Sequence, residues 1–283
     1  MRRPHLSAPS PERTDCRRGA IRLALNPKEI RRTARIGCKK SGAAGERWRW
    51  HVPCLPLQTI SDSSPLGPSV ELAPALQLHE VSKRYGARWA LVRLSLTVKR
   101  GTALLLTGHN GSGKTTLLRV LATAVRPSSG RVQVLGLDAA HHPEKVRAQV
   151  GLLSHANFVY EDLSGLENLE VLARLLGVPV SAAPGALERV SLSPKDDRPI
   201  RTYSAGMRRR LALGRLFLKQ PAVALLDEPF VELDPAGVTE LETRIRELHA
   251  VGTTLVLATH HIEQGLQLCT DRLHLEQGRS IAA

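Results

Sequence analysis

"GHNGSGKTT", Gly108 to Thr116, follows the apolar run "TALLLT" and precedes the amphipathic stretch "LLRVLATAV". The pattern G-x-x-x-x-G-K-[ST] between a strand and a helix describes a loop that wraps phosphate. A chain of this composition would give about 0.007 such matches by accident, so an ordinary glycine-rich turn is a poor account of it. Gly108, Gly111 and Gly113 let the backbone curl until its N–H groups point inward at phosphate oxygens. His109, Asn110, Ser112 and Thr116 complete that cradle. The helix that follows adds the positive end of its dipole. Lys114 offers a mobile ammonium to the β- and γ-phosphates, and Thr115 a hydroxyl to Mg²⁺. The stretch predicts binding of a nucleoside triphosphate.

Further along, "AVALLDEPF" at 222–230 is a second buried strand ending in carboxylates. Asp227 is placed to hold Mg²⁺, directly or through water. Two adjacent carboxylates at a strand end repel unless a cation or distinct roles separate them. Glu228 is therefore the candidate general base for the water that attacks the γ-phosphate. Its plainer role would be a solvated acid beside the metal. A third apolar run, "TTLVLA", ends at Thr259-His260-His261. Histidines are common at strand ends, and taken alone these two mark a polar loop.

Before the phosphate loop, "LQLHEVSKRYG" and "WALVRLSLTVKRG" alternate apolar and polar residues. They predict an antiparallel β entry, whereas "TALLLT" reads as a strand buried on both faces. After the loop, helical patterns alternate with short apolar strands. The expected fold is α/β, a phosphate-loop nucleotidase with a mostly parallel core sheet, an N-terminal antiparallel β subdomain and a short helical insert. The folded domain is expected to span 76–283, with the insert at about 156–203 opening on the capping box Ser164-Gly-Leu-Glu167.

Taken together these residues resemble the ATP-binding cassette (ABC) ATPases, and the resemblance covers about residues 76–283. Besides "GHNGSGKTT" and "LLDEP", the chain carries "YSAGM" at 203–207, similar to the family signature, usually LSGGQ. "VELDP" at 231–235 resembles the D-loop and "LATH" at 257–260 the switch-histidine loop, all in the family's order. The resemblance implies ATP hydrolysis with ATP and Mg²⁺, and a head-to-tail homodimer that sandwiches two nucleotides. It also implies that Ser204 and Gly206 touch the γ-phosphate of the other subunit, where a serine N-cap and a helix start suit an anion. Tyr85 would stack on adenine, and its plainer role is that of a strand aromatic. Asp234 would connect the two sites, and His260 would bond the γ-phosphate and help hold Glu228 and the water. His261 is expected to be a bystander at the start of the next helix.

The chain departs from the family pattern in three places. Met207 stands where glutamine is usual, Ala205 where many members have glycine, and His155 where the glutamine loop has its glutamine. A neutral imidazole could bond a metal's water without fully imitating the glutamine carbonyl. His155 together with "ENL", "YSAGM" and "LDEPF" resembles the ATPase of the haem exporter used in bacterial cytochrome c maturation. The expected function is thus the ATPase subunit of a membrane exporter, with an integral-membrane permease as partner, at the cytoplasmic face of the inner membrane. Two alternatives stand beside haem: an exporter ATPase for a lipid or drug, and a soluble ABC ATPase of translation or DNA repair. The last usually has tandem cassettes or long coiled-coil insertions, which this sequence lacks.

The bulk composition is that of a globular protein, 42% hydrophobic and 23% charged over 283 residues. No apolar stretch approaches the ~18 residues of a membrane span. The net charge of +14 invites a nucleic-acid reading. Residues 1–70 carry 14 Lys/Arg against 5 Asp/Glu, however, and no recognisable nucleic-acid module, so no specific nucleic-acid partner is expected. Residues 1–75 read as a basic extension, disordered or the product of translation begun too far upstream, with a faint likeness to a transit peptide. The two tryptophans of "WRWHVP" at 48–53 could stack on bases or dip into a bilayer. Cys16, Cys38, Cys54 and Cys269 show no metal-ligand spacing and read as free thiols of a reducing compartment.

Overall fold

The computed structural model describes residues 73–154, 159–231 and 233–281. The basic extension, "WRWHVP", His155 and the first three cysteines lie outside the described residues. By its contacts the chain divides into residues 1–66 and 67–283, and everything described belongs to the second unit.

The alternating entry forms strands β1 (Leu76–Tyr85) and β2 (Arg88–Val98). With β4 (Ser129–Val134) and β5 (Leu137–Asp138) they make a four-stranded antiparallel sheet in the order β2-β1-β4-β5. Its apolar residues, Leu76, Leu78, Val81, Leu91 and Leu94 among them, are buried, and Gln77 and His79 between them are exposed, as period-2 alternation requires. The register slips between Leu78 and Val81, where Glu80 takes a left-handed φ of 47°. A bulge of this kind bends the strand, and the Glu80–Arg93 ion pair spans it.

Strands β3 (Ala103–Thr107), β7 (Val223–Asp227) and β8 (Thr254–Ala258) are buried at every position. They are the three continuous apolar runs of the sequence, and helices cover the sheet on both faces as such strands need. β6 (Val150–Leu153) and β9 (Asp271–Glu276) complete five parallel strands, and β10 (Arg279–Ile281) adds antiparallel to β9. The order is β10-β9-β3-β8-β7-β6.

Alternate residues of the central strands feed two cores. Leu104, Leu106, Leu225 and Val256 face α1 (Lys114–Leu121), Val146 of α2 (Pro143–Gln149) and the antiparallel sheet. Leu105, Leu226 and Leu257 face the other helices: α3 (Gly165–Leu176), α4 (Ala183–Glu188), α5 (Ala205–Lys219), α6 (Pro235–Ala250) and Leu268 of α7 (Ile262–Leu268).

The helical insert forms around α3 and α4, and the capping box at its start is present. Ser164 Oγ accepts from the Glu167 N–H at 3.3 Å, and the Ser164 N–H donates to the Glu167 carboxylate at 2.7 Å. Gly177 ends α3 in the left-handed region. One helical expectation is corrected. The amphipathic stretch to Val125 stops at Leu121, because Thr123 turns left-handed at φ 56°. Its N–H donates to Val120 O and that of Ala124 to Arg119 O, the bond pair that closes a helix when a glycine usually occupies this position. A β-branched residue there carries no signal in the sequence.

Candidate nucleotide site

Because β3, β8 and β7 are parallel neighbours, the loops leaving their carboxyl ends meet at one edge. This is where ligands of open α/β sheets bind. The loop after β3 is the phosphate loop. Gly108, Gly111 and Gly113 take φ of 142°, 83° and 111°, a region that side chains strongly disfavour. Two of them also have no room: a Cβ on Gly108 would lie 2.2 Å from Leu275 O, and one on Gly113 2.5 Å from Ala90 O. The curl is held from below. The Lys114 ammonium donates to the carbonyls of Gly108 at 2.7 Å and His109 at 3.2 Å. Ser112 Oγ is fully buried inside the loop with no hydrogen-bond partner among the described residues.

Asp227 ends β7, 2% exposed, and its Oδ1 accepts from the Thr115 hydroxyl at 3.2 Å. Two hard oxygen donors side by side at the mouth of a phosphate loop fit Mg²⁺, which takes one or two protein oxygens and fills its shell with water and phosphate oxygens. Bound there, the ion would neutralise charge on the β- and γ-phosphates. Among the described residues no three His, Cys, Asp or Glu side chains cluster as a metal cage.

Glu228 follows Asp227 but points elsewhere. Its Oε2 accepts from the His260 N–H at 3.2 Å and lies 2.9 Å from His260 Nδ1, which donates when it carries the proton. The two neighbouring carboxylates thus have separate partners. The His260 side chain is 57% exposed. His261 precedes α7 at its N-cap, as expected, and its ring packs on that of His260, centroids 4.3 Å apart, and edge-on to Phe230.

A cleft of about 400 Å³ is lined by Tyr85, Trp89, Lys114, Thr115, Asp227 and Glu228 among others, and His260 reaches it through Glu228. Tyr85 is 46% exposed at its rim, with the Lys83 ammonium 5.1 Å above the ring. Sequence reasoning missed two neighbours in this cleft, Arg88 and Trp89. Their signal was their place on the next strand, directly across the β1–β2 turn, where Tyr85 pairs with Arg88 and Arg84 with Trp89.

Ser204, Gly206 and Asp234 are absent from the cleft's lining. Ser204 caps α5, its Oγ accepting from the Met207 N–H at 3.2 Å, and Asp234 caps α6, accepting from Gly237 at 3.0 Å. The cleft therefore gathers the phosphate loop, Tyr85, Asp227 and Glu228, and His260 joins it through its contact with Glu228, while Ser204, Gly206 and Asp234 are not among its lining residues.

The ABC transporter family matches residues 91–231. Nod factor export ATP-binding protein I of Ralstonia nicotianae is 36% identical over 222 residues, 77% of this chain and 69% of that protein. Daunorubicin resistance ATP-binding protein DrrA2 of Streptomyces coeruleorubidus is 41% identical over 74% of this chain and 66% of its own. A solved structure of the cassette MJ0796, dimeric in a post-hydrolysis state with ADP and Pi, superposes with a TM-score of 0.68 at 23% identity, over 73% of this chain and 97% of that one. The chain belongs to the ABC transporter family. It is an ATP-binding subunit, and the cassette it carries is an ATPase.

Proposed function

We propose that the chain hydrolyses ATP with Glu228 as general base and works as the energising subunit of a membrane exporter. The observation that carries the reading is the Glu228–His260 pair at the mouth of the cleft, set apart from Asp227 and Thr115. Glu228 accepts a proton from the attacking water, and His260 orients the carboxylate and reaches the γ-phosphate. Lys114 leaves its two loop carbonyls for the phosphate oxygens, a stronger charge-assisted contact. The protein works as a head-to-tail homodimer in which Ser204 and Gly206 close on the partner's nucleotide. Supporting this, Ser204 and Gly206 are not among the residues that line the protomer's own cleft, and the neighbour MJ0796 was solved as a dimer.

The partner is an integral-membrane permease. Among the described residues no helix is long and apolar enough to cross a bilayer. The insert carries an apolar groove lined by Val159, Tyr160, Leu172 and Leu175, with Leu175 75% exposed, a surface that suits a partner's apolar helix. Such a subunit sits at the cytoplasmic face of the membrane. For the cargo, export of an organic molecule other than haem has the support of relatives named for Nod factor export and daunorubicin resistance. Haem export for cytochrome c maturation rests on the sequence likeness around His155, "YSAGM" and "LDEPF". His155 is proposed to take the place of the usual glutamine near the metal's water.

The test is a pull-down from native membranes with tagged Glu228→Gln and ATP, read by mass spectrometry. The expected result is a permease in the eluate. Cytochrome c maturation subunits would favour haem, an unrelated permease the other cargo, and ribosomes or repair proteins would overturn the transport reading.

A further inference from the structure

Glu228 has a backbone conformation that needs explaining. Its φ is 46°, in the left-handed region that a Cβ disfavours. It also precedes Pro229, and the residue before a proline is ordinarily pushed towards extended conformations. Strained residues of this kind persist where their surroundings over-determine them. Three restraints act here. The Glu228 N–H donates to Ala258 O at 2.8 Å, and the carboxylate is held by His260. The third comes from across the fold: Arg209 Nη2 donates to the Glu228 carbonyl at 2.7 Å.

Arg209 is unlike the arginines on either side of it. It is 7% exposed, on the face of α5 that also buries Leu213 and Leu216. Burying a guanidinium is expensive unless it bonds to something that matters for the structure. A cation bonded to a peptide carbonyl fixes the plane of that peptide, and the Glu228–Pro229 peptide sets where the carboxylate starts. Arg209 also lies only five residues past Ser204 on the same helix, about 7.5 Å along its axis. In the proposed dimer, the helix whose first turn meets the partner's nucleotide therefore also grips the backbone of its own general base.

We propose that Arg209 is a positioning residue for hydrolysis. It holds Glu228 in its left-handed conformation and ties the base to the helix that carries the signature. The proposal rests on Glu228 being the base. It implies that the arginine contributes to turnover and little to nucleotide affinity, because it lies outside the cleft's lining.

The experiment compares Arg209→Met, which keeps the apolar stem and removes the donor, with Arg209→Lys, which can still reach the carbonyl. Steady-state hydrolysis, equilibrium binding of a fluorescent ATP analogue and thermal melting are measured on the full chain. The methionine variant is expected to lose about 10- to 100-fold in kcat, the scale of a misplaced catalytic group, with nucleotide affinity unchanged within about twofold. The lysine variant is expected to recover most of that loss. Wild-type kcat in Arg209→Met would overturn the proposal. So would a parallel loss of kcat, affinity and melting temperature that lysine does not rescue, since that describes a fold-wide role. Glu228→Gln, measured alongside, separates this failure from the other. If that variant hydrolyses ATP at the wild-type rate, the base assignment falls, and if it is inactive while Arg209→Met is not, only the arginine's role falls.

Discussion

Glu228 and Asp227 show how two identical charges at one strand end acquire different work. Asp227 is nearly sealed and bonded to Thr115, and Glu228 turns left-handed and finds His260. Their order in the sequence made both candidates legible. What the sequence could not show is the turn itself, because a glutamate before a proline has no preference for that region. Arg209 was hidden for a related reason: its partner is a main-chain carbonyl, and "RRR" at 208–210 reads as a solvated face. The signal was the spacing to Leu213 and Leu216, the period of a buried helical stripe. At this scale one side chain is expected to be inert. Burial pushes the Cys269 thiol up to about 12, so at pH 8 it is almost wholly protonated. Alkylation of the half-buried Cys269 in the folded protein, followed by mass spectrometry of its peptide, is expected to be much slower than in the unfolded chain. Rapid labelling at pH 8 would contradict the burial described.

Among the elements, those with local chemistry at both ends were the legible ones. α3 has its capping box at Ser164 and Glu167 and its glycine at 177, and it begins and ends where those residues stand. α1 ends on a left-handed Thr123 and runs shorter than its apolar pattern, since propensity gives no warning of such a stop. Ser164→Ala removes the hydroxyl that accepts from the Glu167 N–H and leaves the backbone N–H that holds the Glu167 carboxylate, and the expected cost is about 1 kcal/mol, a fall of roughly 2–4 °C in the melting temperature. The backbone N–H and hydroxyl of Ser164 hold the Glu167 carboxyl below its ordinary value. That contribution is present above the ordinary glutamate range and fades as pH falls through the lowered value. The melting difference between Ser164→Ala and the parent is therefore expected to shrink in acid. An unchanged melting temperature at pH 7 would mean that the serine hydroxyl contributes nothing to the cap.

For the whole molecule, the decisive feature is the order of strands. With β8 between β3 and β7, three runs that are far apart in sequence deliver the phosphate loop, Asp227 with Glu228, and His260 to one edge. The runs themselves were readable as continuous apolar strands. Their order was not, because every buried strand offers the same apolar face to its neighbours. In the proposed homodimer each cleft is completed by the other copy. Ser204 caps its own helix, Asp234 does likewise, and neither lines the protomer's cleft. A second copy presenting its signature would complete the site, and a base that cannot accept a proton would leave it closed. The most direct measurement is the mass of Glu228→Gln in solution, by light scattering, with magnesium and ATP or ADP, together with its rate of hydrolysis. The expected result is a dimer with ATP, a monomer with ADP, and turnover reduced to a small residue of the wild-type rate. A monomer at saturating ATP, or hydrolysis at the wild-type rate, would contradict the site described.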